Sequence, residues 1–202
     1  MNKELSDGAV KMLNFIRLPE NHWNASKKEL QELVCNNDDV QQWLENPKSK
    51  VGQNSGLFIY GKWGRGKSSL AAILAKELLG RGVFSLWVEY QNIAKYLKKE
   101  TIFSGDQTMI ERMEEVDLLI VNEFNPKTYQ REFPIDCLEH VIRSRVAAKK
   151  PTIVTSNGSP KEFGQDKTKQ GQVLYGMLTG LLSIFREACT PVCVKGEDKR
   201  KE

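Results

Sequence analysis

The order of apolar and polar positions divides the chain into two kinds of territory. Near the start, Ala9, Met12, Leu13 and Ile16 recur on one helical face until Pro19 stops the pattern. Ser26-x-x-Glu29 reads as a capping box, and Leu30, Leu33 and Val34 continue a helical stripe up to Asn36-Asn37. A second short helix carries Val40, Trp43 and Leu44 before Pro47, and residues 47–55 read as a linker. Beyond it, short unbroken apolar runs alternate with helical stripes. The runs are GLFIY (56–60), VFSLWVEY (83–90), DLLIV (117–121), PTIVTSN (151–157) and PVCVKG (191–196). Between them the pattern predicts helices over Lys67–Leu79, Gln91–Lys98, Met109–Glu115, Pro134–Ala148 and 176–188.

Buried strands separated by helices demand crossover connections. The chain is therefore an α/β protein with a mainly parallel sheet covered by helices on both faces. Its 202 residues suffice for one well-buried domain with a small appendage. Residues 1–25 read as a short helical N-terminal extension, and 26–202 as the α/β domain. The net charge of +4 is too small to indicate a nucleic-acid partner by itself. No apolar run approaches the roughly 18–20 residues that span a bilayer, and the N-terminus lacks the apolar core of a secretion signal. No membrane partner and a cytoplasmic location are expected. Cys35, Cys137, Cys189 and Cys193 form no C-x-x-C pair, so reduced thiols are expected rather than a zinc site.

The stretch after the first strand carries the clearest chemistry. Gly61-Lys62-Trp63-Gly64-Arg65-Gly66-Lys67-Ser68, followed by Ser69, fits G-x-x-x-x-G-K-[ST] throughout. Glycines let the backbone curl around phosphate oxygens, and the freed N–H groups and the positive end of the next helix face the anion. Lys67 would place its charge on the β- and γ-phosphates, while the Ser68 hydroxyl would ligate Mg²⁺. Trp63 and Arg65 occupy variable positions of the loop.

An ATPase also needs an apolar strand ending in acids, one for the metal and one to activate water. Asp117-Leu-Leu-Ile-Val121-Asn122-Glu123 has the strand and a single acid at its tip. Glu123 is the candidate base. Asn122 stands on the metal side, able to hydrogen-bond a metal-bound water but supplying no charge, so slow hydrolysis is expected. The strand 151–157 ends in Thr155, Ser156 and Asn157, at the same sheet edge as the phosphate loop. Asn157 could there orient water, or simply belong to a turn.

Four segments in this order, "LFIYGKWGRGKSSLAAILAKEL", "VDLLIVNEF", "IRSRVAAKKPTIVTSN" and "VKGEDKR", resemble the AAA+ ATPases of the bacterial helicase-loader family, the DnaC and DnaI type, with the IstB transposition ATPases as relatives. The resemblance covers roughly residues 26–200. It implies a P-loop NTPase sheet sandwiched by helices, with ATP and Mg²⁺ as cofactors. On its pattern Gly61, Gly66, Lys67 and Ser68 match the phosphate loop, Asn122 and Glu123 the acidic strand, and Asn157 the sensor. Arg145 matches an arginine before the sensor strand. Arg186 in "SIFREA" falls near the arginine finger that a neighbouring subunit supplies, in altered sequence context, and Arg200 near a terminal arginine box.

The resemblance further implies a replicative helicase partner, single-stranded DNA and a possible homo-oligomer. The brevity of the N-terminal extension would suit a bacteriophage or another mobile element. Ala9, Met12, Leu13, Phe15, Ile16 and Trp23 could dock in a partner's groove or fold back on the core. Tyr90, Lys95, Tyr96, Lys98, Lys99 and Phe103 set aromatics beside basic charge, as single-stranded DNA binding requires. Three other readings remain: an IstB-like ATPase regulating a transposase, a nucleotide-sensing adaptor without hydrolysis, and a small-molecule P-loop kinase. For the kinase, Glu89 would be the substrate acid and 161–175 the lid.

Overall fold

Each short apolar run becomes a strand. The computed structural model describes residues 5–26, 38–45, 55–99, 107–126, 132–164 and 169–195. Its strands are β1 (Gly56–Tyr60), β2 (Ser85–Glu89), β3 (Leu118–Phe124), β4 (Thr152–Ser156) and β5 (Cys189–Cys193). They form one five-stranded sheet in the order β2-β3-β4-β1-β5, with every pair parallel. The helices are α1 (Asp7–Phe15), α2 (Asp38–Glu45), α3 (Lys67–Leu79), α4 (Ile93–Lys99), α5 (Met109–Glu115), α6 (Glu132–Ala147) and α7 (Lys169–Ala188).

Side-chain alternation along the strands builds two cores. Leu57 and Ile59 of β1, Leu118 and Ile120 of β3 and Ile153 of β4 pack with residues of α1, α2 and α3. Phe58, Leu119, Val121 and Val154 point the other way, against residues of α4 to α7. Each such side chain, fully buried, contributes about 1.5–3 kcal/mol. A sheet buried on both faces explains why the strands read as unbroken apolar runs.

Several boundaries shift from expectation, most by a residue or two, and three shifts have a clear physical reason. The last helix starts at Lys169 rather than 176, running through Gly171, Gly176 and Gly180. Packing of Leu178, Leu181, Leu182 and Phe185 into the second core outweighs their unfavourable helix propensity, about 1 kcal/mol each. The strand expected from 191 begins at Cys189, where pairing with Gly56 opens the ladder. A Cβ on Gly56 would stand 2.3 Å from the Thr152 carbonyl oxygen, so only glycine permits this approach. Finally, β3 continues beyond Val121 to Phe124, whose ring meets those of Phe58, Tyr90, Phe163 and Phe185. The register passes from Val121↔Val154 to Phe124↔Ser156 through a bulge, with Glu123 at φ 55°. A bulge re-aims a side chain, and the one re-aimed here is Glu123.

Segment 7–25 lies against the sheet's β2 edge. Leu13, Ile16 and Leu18 are buried, and the Trp87 backbone N–H donates to the Ile16 carbonyl at 2.9 Å. The Trp23 indole N–H donates to the Leu18 carbonyl at 2.8 Å, and the Lys76 ammonium donates to the carbonyls of Trp23 and Ala25. The amphipathic stripe is thus divided. Leu13 and Ile16 are spent on the protein's own core, while Met12 and Phe15 stay exposed. The Glu29 half of the capping box, the stripe at 30–34, Cys35 and residues 46–54 lie outside the described residues. Among the described residues no helix is long and apolar enough to cross a membrane.

Candidate functional site

The carboxyl ends of parallel strands share one edge, and the loop from β1 into α3 rises there. Gly66 precedes α3 in the left-handed region at φ 81° and makes no side-chain cap. A residue with a Cβ would lose about 1–2 kcal/mol in that conformation. The first N–H groups of α3 have no partner within the helix, and with the helix's positive end they form a receptor for an anion. Lys67 is 9% exposed, and its Nζ donates to the Lys62 carbonyl at 2.8 Å, holding the charge over the loop.

Asn122 is the hub of the site. Its Oδ1 accepts from the Ser68 hydroxyl at 2.9 Å and the Thr155 hydroxyl at 2.7 Å. Its Nδ2 donates to both oxygens of Glu89, at 3.1 and 3.0 Å. The Trp87 indole N–H donates to Glu89 Oε1 at 2.7 Å. The Thr155 oxygen also accepts the Glu123 backbone N–H at 2.9 Å, which the bulge would otherwise leave unpaired. An amide is the side chain that donates to a carboxylate with one atom and accepts from hydroxyls with the other. An Asp in this place could not donate to Glu89, so the oddity at position 122 is chemically matched to its neighbour.

These groups face one cavity of about 420 Å³, lined by Lys67, Ser68, Glu89, Asn122, Glu123 and Asn157 among others. Trp63, Gly64, Gly66 and Ser69 also reach it, whereas Gly61, Lys62 and Arg65 do not. Pro19, Asn21 and His22 close one side, a contribution that sequence reading missed. No local motif marks them; they arrive because α1 and Leu18 are anchored on the sheet. His22 lies against the Trp87 ring at 5.7 Å. Burial lowers its pKa, Glu123 opposes that shift, and Lys76 adds to it.

Other expected residues lie elsewhere. Arg186 is exposed on the last turn of α7, just before β5. Because β5 runs parallel to β1, Arg186 sits at the sheet edge opposite the phosphate loop. A five-residue strand, roughly 16 Å, separates the two edges, so this arginine does not enter its own chain's cavity. Arg145 is fully buried at that far edge. Its guanidinium donates to Thr152 Oγ1 and to the carbonyls of Met113, Glu114, Val116, Asp117 and Pro151. It ties the ends of α5, β3 and β4 together. Burial pulls its pKa to about 9, partly offset by Asp117, which still leaves it charged at neutral pH.

Of the aromatic and basic set expected to meet DNA, Lys95 is exposed on α4 and Tyr96 follows it. Tyr90 is buried against Phe124, and the Tyr96 ring carries the Arg17 guanidinium at 5.7 Å. The Tyr90 ring is therefore closed to stacking, while Tyr96 is half-buried. The side chains of Lys98 and Lys99, as well as Phe103, Arg200 and residues 165–168 of the expected lid, lie outside the described residues. Glu89, expected as a kinase's substrate acid, is engaged by Asn122 and Trp87 beside the phosphate loop. Among the described residues no cluster of three His, Cys, Asp or Glu side chains could hold a metal unaided.

No family model matches the chain. It is 25% identical over 157 residues to the replicative helicase loader DnaI of Bacillus subtilis, covering 75% of this chain and 50% of that protein. It is 30% identical over 113 residues to the replicative helicase loader DnaC of Escherichia coli K12, covering 54% and 46%. The chain therefore spans about half the length of the curated relatives it matches. The crystal structure of DnaI superposes with a TM-score of 0.61 at 19% identity, over 97% of this chain and 94% of the other. That likeness establishes the fold, a five-stranded parallel sheet with the phosphate-loop motif after β1.

Proposed function

Because the chain belongs with the AAA+ proteins of the DnaC and DnaI family, we propose that it is an ATP-dependent helicase loader. It binds Mg·ATP and opens or delivers a replicative helicase on single-stranded DNA during replication initiation. One observation carries the nucleotide part of the reading. The phosphate loop after β1, Glu89 of β2, Asn122 and Glu123 of β3, and Thr155 of β4 face a single cavity.

The donor set suits a hard cation. Mg²⁺ takes few protein ligands, one or two carboxylates beside substrate phosphates, so the lack of a dedicated acidic cluster fits. Ser68 and Glu89 supply oxygen near the phosphate loop. Ser68 would hold the metal, and Asn122, whose Oδ1 already accepts from Ser68 and Thr155, would hold it through the Ser68 hydroxyl it positions. The metal would neutralise charge on the β- and γ-phosphates. Lys67 binds phosphate. Glu123, displaced by the bulge into the cavity, takes the proton of the attacking water, and Asn157 orients that water. Among the described residues no arginine lines the cavity. The isolated chain therefore hydrolyses ATP slowly, and Arg186 of a neighbouring copy completes the site in a homo-oligomer. Bound nucleotide acts as the assembly switch.

The decisive experiment measures ATP turnover and helicase capture together. Wild type should bind ATP, and its turnover should respond to single-stranded DNA. Affinity capture should recover a replicative helicase in the presence of nucleotide. Lys67→Ala should abolish nucleotide binding, read by calorimetry, while the far-ultraviolet circular dichroism stays unchanged. Absence of adenine-nucleotide binding by the folded wild-type chain would overturn the proposal.

A further inference from the structure

We infer that Glu89 supplies the carboxylate charge that a nucleotide-bound metal needs in this chain, a task the Asn122 amide cannot perform. The inference rests on the reading of the cavity as a Mg·nucleotide site and adds a residue to it. β2 and β3 are parallel neighbours with Glu89 directly opposite Asn122, so both side chains emerge at the phosphate-loop edge. Glu89 lines the cavity beside Ser68 and Glu123.

Three hydrogen bonds lock its position. Oε1 accepts from Trp87 and Asn122, and Oε2 accepts from Asn122. A carboxylate offers about four acceptor directions, which leaves one on Oε2 for a water of the metal's hydration shell. The Asn122 Oδ1, already holding Ser68, keeps that hydroxyl next to the same point. The pair therefore carries one negative charge in total, as an Asp on β3 beside a neutral residue on β2 would. The charge has moved one strand sideways, and the amide is what allows it to sit there without a like-charged neighbour.

The test separates charge supply from mere positioning of Asn122. Equilibrium binding of a non-hydrolysable ATP analogue is measured in EDTA and in Mg²⁺, with Mn²⁺ binding to the complex followed by electron paramagnetic resonance. Wild type should bind the analogue more tightly with metal. Glu89→Gln keeps an acceptor for Trp87 and Asn122, yet should weaken Mn²⁺ binding by about 10-fold or more, as loss of supporting groups around a metal does. Its affinity in EDTA should hold or improve. The double variant Glu89→Gln/Asn122→Asp, which moves the charge back to β3, should recover the metal effect. Wild-type metal dependence in Glu89→Gln, or no recovery in a folded double variant, overturns the inference and leaves the nucleotide reading standing. No analogue binding by wild type under either condition removes the nucleotide reading itself.

Discussion

Asn122→Asp alone converts the amide–carboxylate contact into two acids facing each other. The Nδ2 atom lies 3.0 and 3.1 Å from the Glu89 oxygens, so an Asp oxygen would take that place. Two full charges at this separation repel by roughly 5 kcal/mol at an effective dielectric near 20. Proton uptake limits the penalty. Keeping one carboxyl protonated at pH 7, when its unfolded pKa is near 4, costs about 4 kcal/mol. Glu89 is only half-buried and can rotate towards solvent, so the expected loss is about 2–4 kcal/mol in EDTA.

The sign follows from linkage. The pair's folded pKa is raised above its unfolded value, so the deficit is largest at neutral pH and shrinks as pH falls towards 4. At pH 5 it should be about 1.4 kcal/mol. Urea unfolding of wild type and variant at pH 5, 6, 7 and 8 reads this directly. Two stability profiles that run parallel, or a deficit below about 0.5 kcal/mol at pH 7, would refute the charge-matching account of position 122. Mg²⁺ with ADP should restore much of the lost stability by binding between the acids.

Arg145→Met should destabilise by about 3–5 kcal/mol, since buried carbonyls of Met113, Val116 and Pro151 lose their donor; chemical denaturation checks it. Arg186→Ala should leave nucleotide affinity of the single chain intact yet lower turnover of the assembled form by about 10³-fold or more. Mixing it with Lys67→Ala subunits should restore part of that turnover, because each variant supplies what the other lacks. The His22 pKa is lowered in the folded state, so its neutral form packs best and stability is full above the unfolded value near 6.5. As pH falls below that value, wild type should lose melting temperature faster than His22→Gln, followed by thermal scans from pH 7.5 to 5.5.

Local sequence determined much of this protein. Strand periodicity and the G-x-x-x-x-G-K-[ST] spacing located β1, α3 and the phosphate loop to the residue, because both depend on contacts a few positions apart. Position 122 was visible as an anomaly for the same reason, since it breaks a pattern internal to one strand. Its meaning was not. Glu89 lies 33 residues away, and only the pairing of β2 with β3 turns an isolated amide into the partner of a carboxylate. The same holds for His22, brought to the cavity by burial of Leu13, Ile16 and Leu18, and for Arg145, whose carbonyl partners come from the end of α5 and from the segments leading into β3 and β4. Short-range pattern records which groups a chain owns. Which of them share a charge or a proton is decided by strand order and packing, because electrostatics acts through space and not along the backbone.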